Sequence, residues 1–134
     1  MNPALALQEA MRGALLGHGP LVALLGGAHV YDEPPRGVNA SYVSFGECET
    51  RDWSVFDHKA HEHLVSLRVR TNARSQRLAQ QIVSEIEAAL DGAALALTGH
   101  ALVNLRVAFW AVRPDRNSEH FGALVRLRAA TEEA

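Results

Sequence analysis

The side chains best suited to chemistry lie in one short stretch, "HKAHEH", at residues 58–63. It places His58, His61 and His63 beside Glu62. A zinc site needs three or four such ligands converging at about 2 Å, and residues two apart on a strand point to the same side. His61 and His63 therefore have a permissive spacing for a metal-dependent hydrolase. Because no helical HxxxH pair or CxxC pair accompanies them, a polar segment entering a strand is the alternative, and we expect no metal and no cofactor.

Other catalytic chemistry has no local signature in the chain. Nucleophilic catalysis requires Ser or Cys activated by a histidine that an acid orients, and these residue types are present without a GxSxG motif. The glycine pair Gly26 and Gly27 lacks the lysine and the spacing of a phosphate-binding loop. The sequence therefore predicts no catalytic residues and a protein that is not an enzyme.

Length and composition indicate one folded domain spanning residues 1–134. An apolar fraction of 48% is enough to build a core, and a net charge of −2 argues against a protein that coats nucleic acid along its whole surface. Cys48 is the single cysteine, so no internal disulfide is possible. The first 17 residues include Gln8, Glu9 and Arg12, which predicts a helix rather than a signal peptide or a membrane segment.

Apolar spacing predicts two main helices. The first is capped by Asn2 and ends at Gly17, and a single helical turn follows before Gly26. The second begins at Ser75, ends near Gly92 and has apolar residues every four positions. These apolar residues are Leu78, Ile82, Ile86 and Leu90.

Alternating patterns predict four strands. The segments are "SYVSFGECE", "HEHLVSLRVRT", "ALVNLRVAFWAVR" and "HFGALVRLRAAT". In the third, Val103, Leu105, Val107 and Phe109 fall on one face, and the turn "PDRNS" separates it from the fourth. The predicted fold is α+β, a two-layer sandwich of a mainly antiparallel four-stranded sheet with two helices on one face. Its order is α-β-β-α-β-β, with a long hairpin loop, "TRDWSVFDHKA", after the first strand.

Five arginines share the polar face of this predicted sheet. They are Arg68, Arg70, Arg106, Arg126 and Arg128. One interpretation is a nucleic-acid-binding module, although Trp110 alone among the aromatics shares the arginine phase. A second is a subunit interface in which guanidiniums meet carboxylates of a neighbouring copy, and a third is a solvated face.

The hairpin loop carries aromatic residues among polar ones. Trp53 follows Arg51 and Asp52, and Phe56 and Asp57 lie close by. A tryptophan in such a place either folds back onto the core or is presented to a partner. These five residues and the five arginines are the predicted contact residues of a subunit or partner interface.

Motifs along nearly the whole chain resemble the tail-terminator, or tail-completion, family of long-tailed bacteriophages, prophages and gene transfer agents. They are "GGAHVYDEPP", "YVSFGECETRDWS", "HEHLVSLRV", "RLAQQIVSEIEAAL", "LTGHALVNLRV" and "GALVRLRAATEE". The resemblance carries no catalytic residues onto this chain.

The resemblance implies a structural virion protein that forms a ring, typically a hexamer, on the end of a tail tube. Such a ring terminates tube polymerisation and joins the tube to the head connector, and DNA passes through its lumen. The implied partners are further copies of the chain, the major tail tube protein, the head-tail connector protein and DNA in transit, with no membrane. The implied location is the bacterial cytoplasm during assembly and then the head-tail junction of the particle.

Overall fold

Helices occupy the first part and the middle of the chain, and long strands occupy the rest. The computed structural model describes residues 1–116 and 119–134, so the last two positions of the predicted turn "PDRNS" lie outside the described residues. The elements are α1 (Pro3–Leu16), α2 (Gly19–Leu25), β1 (Val30–Tyr31), β2 (Tyr42–Asp52), β3 (Ala60–Arg70), α3 (Gln76–Leu90), β4 (Ala96–Leu97), β5 (His100–Pro114) and β6 (Phe121–Glu133).

The helix boundaries follow local capping chemistry. Asn2 caps α1, because its side-chain oxygen accepts a hydrogen bond from the Leu5 amide at 2.8 Å. The segment predicted as a single helical turn is a seven-residue helix, α2, which ends at Gly26 with φ +75°. α3 starts after Ser75 and buries the apolar face predicted for it. Three helices therefore cover the sheet where two were predicted.

The described strands form one mixed sheet in the order β1-β2-β3-β6-β5-β4. The four predicted strands are its antiparallel centre. The prediction of a four-stranded sheet was incomplete, because β1 lies parallel to β2 at one edge and β4 pairs with β5 at the other. Two-residue strands are too short to show an alternating pattern, so the sequence carried no signal for them.

The core lies between the three helices and one face of the sheet. It joins residues of all three helices to Val43, Val65, Leu67, Val125 and Leu127 on the strands. The predicted placement of the helices on the apolar side of the sheet is therefore confirmed. The opposite face of the sheet has no helix on it among the described elements.

The predicted phase of β5 was wrong at both ends, because the strand contains two bulges. Extra residues lie between Leu102 and Asn104 and between Val107 and Phe109. Val103 and Phe109 are consequently exposed instead of lying in the core. Trp110, which was predicted to share the arginine phase, is opposite the buried Val125 and therefore lies on the helix side.

The predicted long loop between β2 and β3 is shorter than expected, because residues 50–52 and 60 belong to the strands. Pairing continues outward as far as Asp52 opposite His61, and the loop that remains is residues 53–59. We call residues 50–63 the arm and residues 53–59 its tip. The outer residues of β2, Thr50, Arg51 and Asp52, are polar and exposed, so they show no apolar alternation from which the extension could be predicted.

Within the described residues, no helix combines the length and the apolar character needed to cross a bilayer.

Candidate interaction surfaces

His63 is a buried core residue of the arm. Its Nδ1 lies 2.8 Å from Thr50 Oγ1 and its Nε2 lies 2.8 Å from Thr131 Oγ1. Burial is the largest cause that lowers the pKa of His63, and the nearby His61 and His100 lower it further. Both ring nitrogens are therefore occupied by hydroxyl groups, and the ring is held neutral.

The other two histidines of "HKAHEH" have separate neighbours. The His58 Nε2 lies 2.6 Å from Glu132 Oε2, and the hydrogen bond and charge of this carboxylate raise the pKa of His58. His61 stacks against His63 with ring centroids 6.3 Å apart, as expected for residues two apart on a strand. Among the residues that the structure describes, no group of three His, Cys, Asp or Glu side chains is placed to hold a metal ion.

The five predicted arginines do lie exposed on one sheet face, which we call the arginine face. They come from β3, β5 and β6, and Arg106 is directly opposite Arg128 in the ladder. Arg70 has a carboxylate partner, Asp115, at 3.3 Å. The other four have no carboxylate within ion-pair distance in residues 1–116 and 119–134.

Phe109 joins the arginine face because of the β5 bulge. It is opposite Arg126, whose guanidinium carbon lies 5.9 Å from the centre of the Phe109 ring. This distance suits a cation–π contact. The sequence analysis missed this aromatic because the residues next to the bulge do not mark it, and the first sign of a phase change comes only at Arg113.

The tip of the arm presents large apolar side chains to solvent. Trp53 is 55% exposed, Val55 is 61% exposed and Phe56 is fully exposed. Main-chain hydrogen bonds of 3.0 and 2.8 Å between Val55 and His58 close the turn around Phe56 and Asp57. Trp53 is therefore not folded back onto the core.

The base of the tip is fixed by polar contacts. The amide of Ser54 donates to Asp52 Oδ1 at 2.9 Å, and hydrogen bonds from Ser54 lower the pKa of Asp52. Ser54 also bonds both the amide and the carbonyl of Ala60 across the hairpin. The exposed apolar residues of the tip therefore stand on an ordered base.

A groove of about 710 Å³ lies at the other end of the arginine face. Arg68, Arg70 and Arg113 line it together with apolar groups, and Asp32 and Glu33 lie at its rim. Its apolar lining includes Pro34, Ala111 and Leu124, together with Tyr42. Arg113 was not predicted here, although an arginine at an expected core position of β5 is itself a sign that the strand changes phase.

The predicted contact residues thus fall into two separated groups. Arg51, Asp52, Trp53, Phe56 and Asp57 lie in the arm, whereas the predicted arginines lie on the sheet that carries it. β2 runs from the groove at Ser44 to the base of the tip at Asp52, which is roughly 25 Å of strand. No contact within one copy is available between the tip and the groove at that separation.

Comparison with known proteins gives a family and a structural relative. The family model described as "Tail completion protein gp17" matches residues 9–132. A chain in the structure described as "Virion of native gene transfer agent (GTA) particle" superposes with a TM-score of 0.88 and 31% sequence identity. The similarity covers 96% of this chain and 96% of that chain. No curated protein sequence matches this chain.

Proposed function

The chain belongs to the tail completion protein gp17 family, and from this premise we propose that it forms a homo-oligomeric ring on the end of a tail tube. Membership makes it a structural protein of a bacteriophage-type tail. In the proposal the ring is typically a hexamer that stops tube polymerisation, joins the tube to the head connector and lets DNA pass through its lumen. Its role is structural and not enzymatic.

The observation that carries this proposal is the arginine face. Arg68, Arg106, Arg126 and Arg128 are exposed without a carboxylate partner in the described chain. A solvated surface would gain from opposite charges interspersed with these arginines, whereas a contact surface needs its complement on a partner. The arm supplies such a complement, because it combines carboxylates with exposed aromatic groups.

The two surfaces differ, and the tip of the arm lies at the opposite end of the sheet from the groove, which favours a heterologous contact. A heterologous contact joins one patch on each copy to a different patch on the next, and it closes into a ring when the rotation between copies permits. The arm and the arginine face meet this requirement. The residues proposed for copy-to-copy or tube contacts remain the five arginines and the five arm residues named from the sequence.

The remaining partners follow from the proposed place in the particle. One side of the ring would contact the major tail tube protein and the other the head-tail connector protein. Assembly would take place in the bacterial cytoplasm, and the finished ring would lie at the head-tail junction of the particle. The relative in a gene transfer agent virion supports placement in a particle of this kind.

Native mass spectrometry of the purified chain, with charge reversal on the arginine face, tests the proposal. We expect a discrete oligomer for the wild type, and dissociation for the double variant Arg126→Glu and Arg128→Glu. Arg77→Glu is the matched control, because Arg77 is equally exposed but lies on α3 in the helix layer. A wild-type chain that stays monomeric in solution, and that also fails to bind purified tube ends in electron micrographs, would contradict the ring.

One observation favours a second candidate, a nucleic-acid-binding module. Arg126 lies over the exposed Phe109, with Arg106 and Arg128 on the same sheet face, and arginines beside an aromatic ring suit phosphates and stacked bases. Affinity for a DNA oligonucleotide should then fall steeply with salt and fall again in the Arg126→Glu and Arg128→Glu variant. DNA binding by a strictly monomeric wild type would favour this candidate over the ring. A metal-dependent hydrolase has no comparable support, since His58 and His63 already bond to other side chains.

A further inference from the structure

Phe56 combines full exposure with an unfavourable backbone conformation. Its φ is +49°, and it is the one non-glycine residue with positive φ in the described chain. Bulky side chains rarely adopt this region, which glycine or asparagine enters at little cost. A phenylalanine here is unfavourable for the isolated copy twice, through its backbone and through its exposed ring. A contact that buries the ring would account for both.

The groove at the far end of the arginine face has the complementary character. Its apolar lining suits an aromatic ring, and a volume of about 710 Å³ leaves space for the residues that flank the ring. Arg68 and Arg113 line the groove without a carboxylate partner in the described chain, while Asp32, Glu33 and Asp115 supply negative charge there, Asp115 being paired with Arg70.

The charges beside Phe56 match both sides of this groove. Asp57 follows Phe56 directly, and Lys59 lies two residues further along. With the ring inserted, the Asp57 carboxylate can meet the guanidinium of Arg113 or Arg68, and the Lys59 ammonium can meet the Glu33 carboxylate. An uncharged tip, or one with acidic residues alone, would be less complementary to a groove that carries charges of both signs.

We propose that the tip of one copy, led by Phe56, docks in the groove of the next copy around the ring. This pairing rests on the proposed function and goes further, because it names the two surfaces that meet. The separation of tip and groove along the sheet prevents one copy from satisfying its own groove. The pairing is therefore head to tail, as ring closure requires.

Two variants remove the two halves of the contact separately. Phe56→Asn removes the aromatic ring and suits the positive φ, so the variant should fold at least as well as the wild type. Arg113→Glu reverses an exposed charge in the groove. We expect each variant alone to show copy-to-copy affinity reduced about 30-fold or more, the effect typical of a central contact residue. Leu5→Gln is the matched control, since Leu5 is an exposed apolar residue on α1, and it should assemble normally.

Mixing the two variants gives the sharper readout. Phe56→Asn keeps an intact groove and Arg113→Glu keeps an intact tip, so one copy of each can form a single normal contact. Native mass spectrometry should show one-to-one dimers in the mixture and monomers in each separate sample. Rings formed by Phe56→Asn at wild-type concentrations, or a mixture that stays monomeric, would overturn the pairing.

Failure of this pairing is distinguishable from failure of the proposed function. If the wild type and Phe56→Asn form the same rings, the pairing of tip and groove is refuted but the proposed ring is retained. If the wild type neither assembles nor binds tube ends, both are overturned. Circular dichroism of each variant confirms that lost assembly is not lost folding.

Discussion

Replacing His63 by leucine tests whether this histidine is structural. The side chain is fully buried, and its two nitrogens lie 2.8 Å from the hydroxyls of Thr50 and Thr131. Leucine has a similar size but bonds neither hydroxyl. Thr50 is exposed and can turn to water, whereas Thr131 is fully buried and would be stranded. A stranded buried polar group costs about 1–3 kcal/mol, and the hydrogen bond to Thr50 adds about 1 kcal/mol before compensation by water.

We therefore expect His63→Leu to lower the free energy of unfolding by about 2–3 kcal/mol. Urea denaturation at pH 7.5, followed by circular dichroism, measures this quantity. The double variant His63→Leu with Thr131→Val should recover most of the loss, because replacing both partners of a buried bond by apolar groups is nearly neutral. His61→Leu should change stability by less than about 0.5 kcal/mol, the usual size for a substitution outside the buried core.

Two outcomes would refute this reasoning. A His63→Leu variant as stable as the wild type would mean that the two hydroxyl contacts contribute nothing. A double variant no more stable than the single one would mean that the stranded Thr131 hydroxyl is not the source of the cost.

Three further predictions concern pH, packing and capping. Because burial lowers the pKa of His63, its contribution to stability is complete above the unfolded pKa of about 6.5. That contribution is lost as pH falls from there towards the folded pKa, by at most about 1.4 kcal/mol per pH unit. The free energy of unfolding, measured by urea titration between pH 7.5 and 5.5, should therefore fall in the wild type, and this part of the fall should be absent in His63→Leu. Gly122→Ala should lower the free energy of unfolding by about 1–3 kcal/mol, because its new methyl group would lie 2.8 Å from the Val69 carbonyl oxygen. An unchanged midpoint of urea denaturation would contradict that clash. Asn2→Ala should lower the free energy of unfolding by about 1 kcal/mol, whereas Asn2→Asp should retain the capping hydrogen bond. Equal thermal stability of the two variants would argue against this bond.

Sequence predicted the elements whose signals are local. α3 is amphipathic over its whole length, so the repeat of Leu78, Ile82, Ile86 and Leu90 defined its buried face. Ser75 and Gly92 marked its two ends, although the Ser75 side chain makes no capping hydrogen bond. The arginine face was also predictable, since Arg126 and Arg128 alternate with buried residues on a strand that has no bulge.

Contacts between distant parts of the chain were beyond the sequence pattern. The residues of "HKAHEH" permit both a ligand set and a polar segment entering a strand, and the observation that assigns His63 to the core is its bond to Thr131, which lies 68 positions away. Likewise, the bulge before Phe109 reverses the phase of the strand without changing its composition. The groove depends on loop residues such as Pro34 meeting the end of β5, and no local spacing encodes that meeting.

Arg106 and Arg128 place two positive charges opposite each other in the ladder, although the chain as a whole is nearly neutral. Residues directly opposite in an antiparallel ladder have their Cβ atoms about 5 Å apart, and like-charged residues in such paired positions are generally destabilising. The net charge of −2 hides this repulsion, because compensating carboxylates lie elsewhere, several of them in the arm. A partner that brings negative charge to the arginine face therefore gains its own attraction and also relieves a cost already present in the isolated copy. Phe56, at the tip of the arm, is likewise unfavourable in the isolated copy, because its φ is positive and its ring is exposed. Both features make the separated chain less favourable than the assembled one, so the drive to assemble comes partly from the unassembled state.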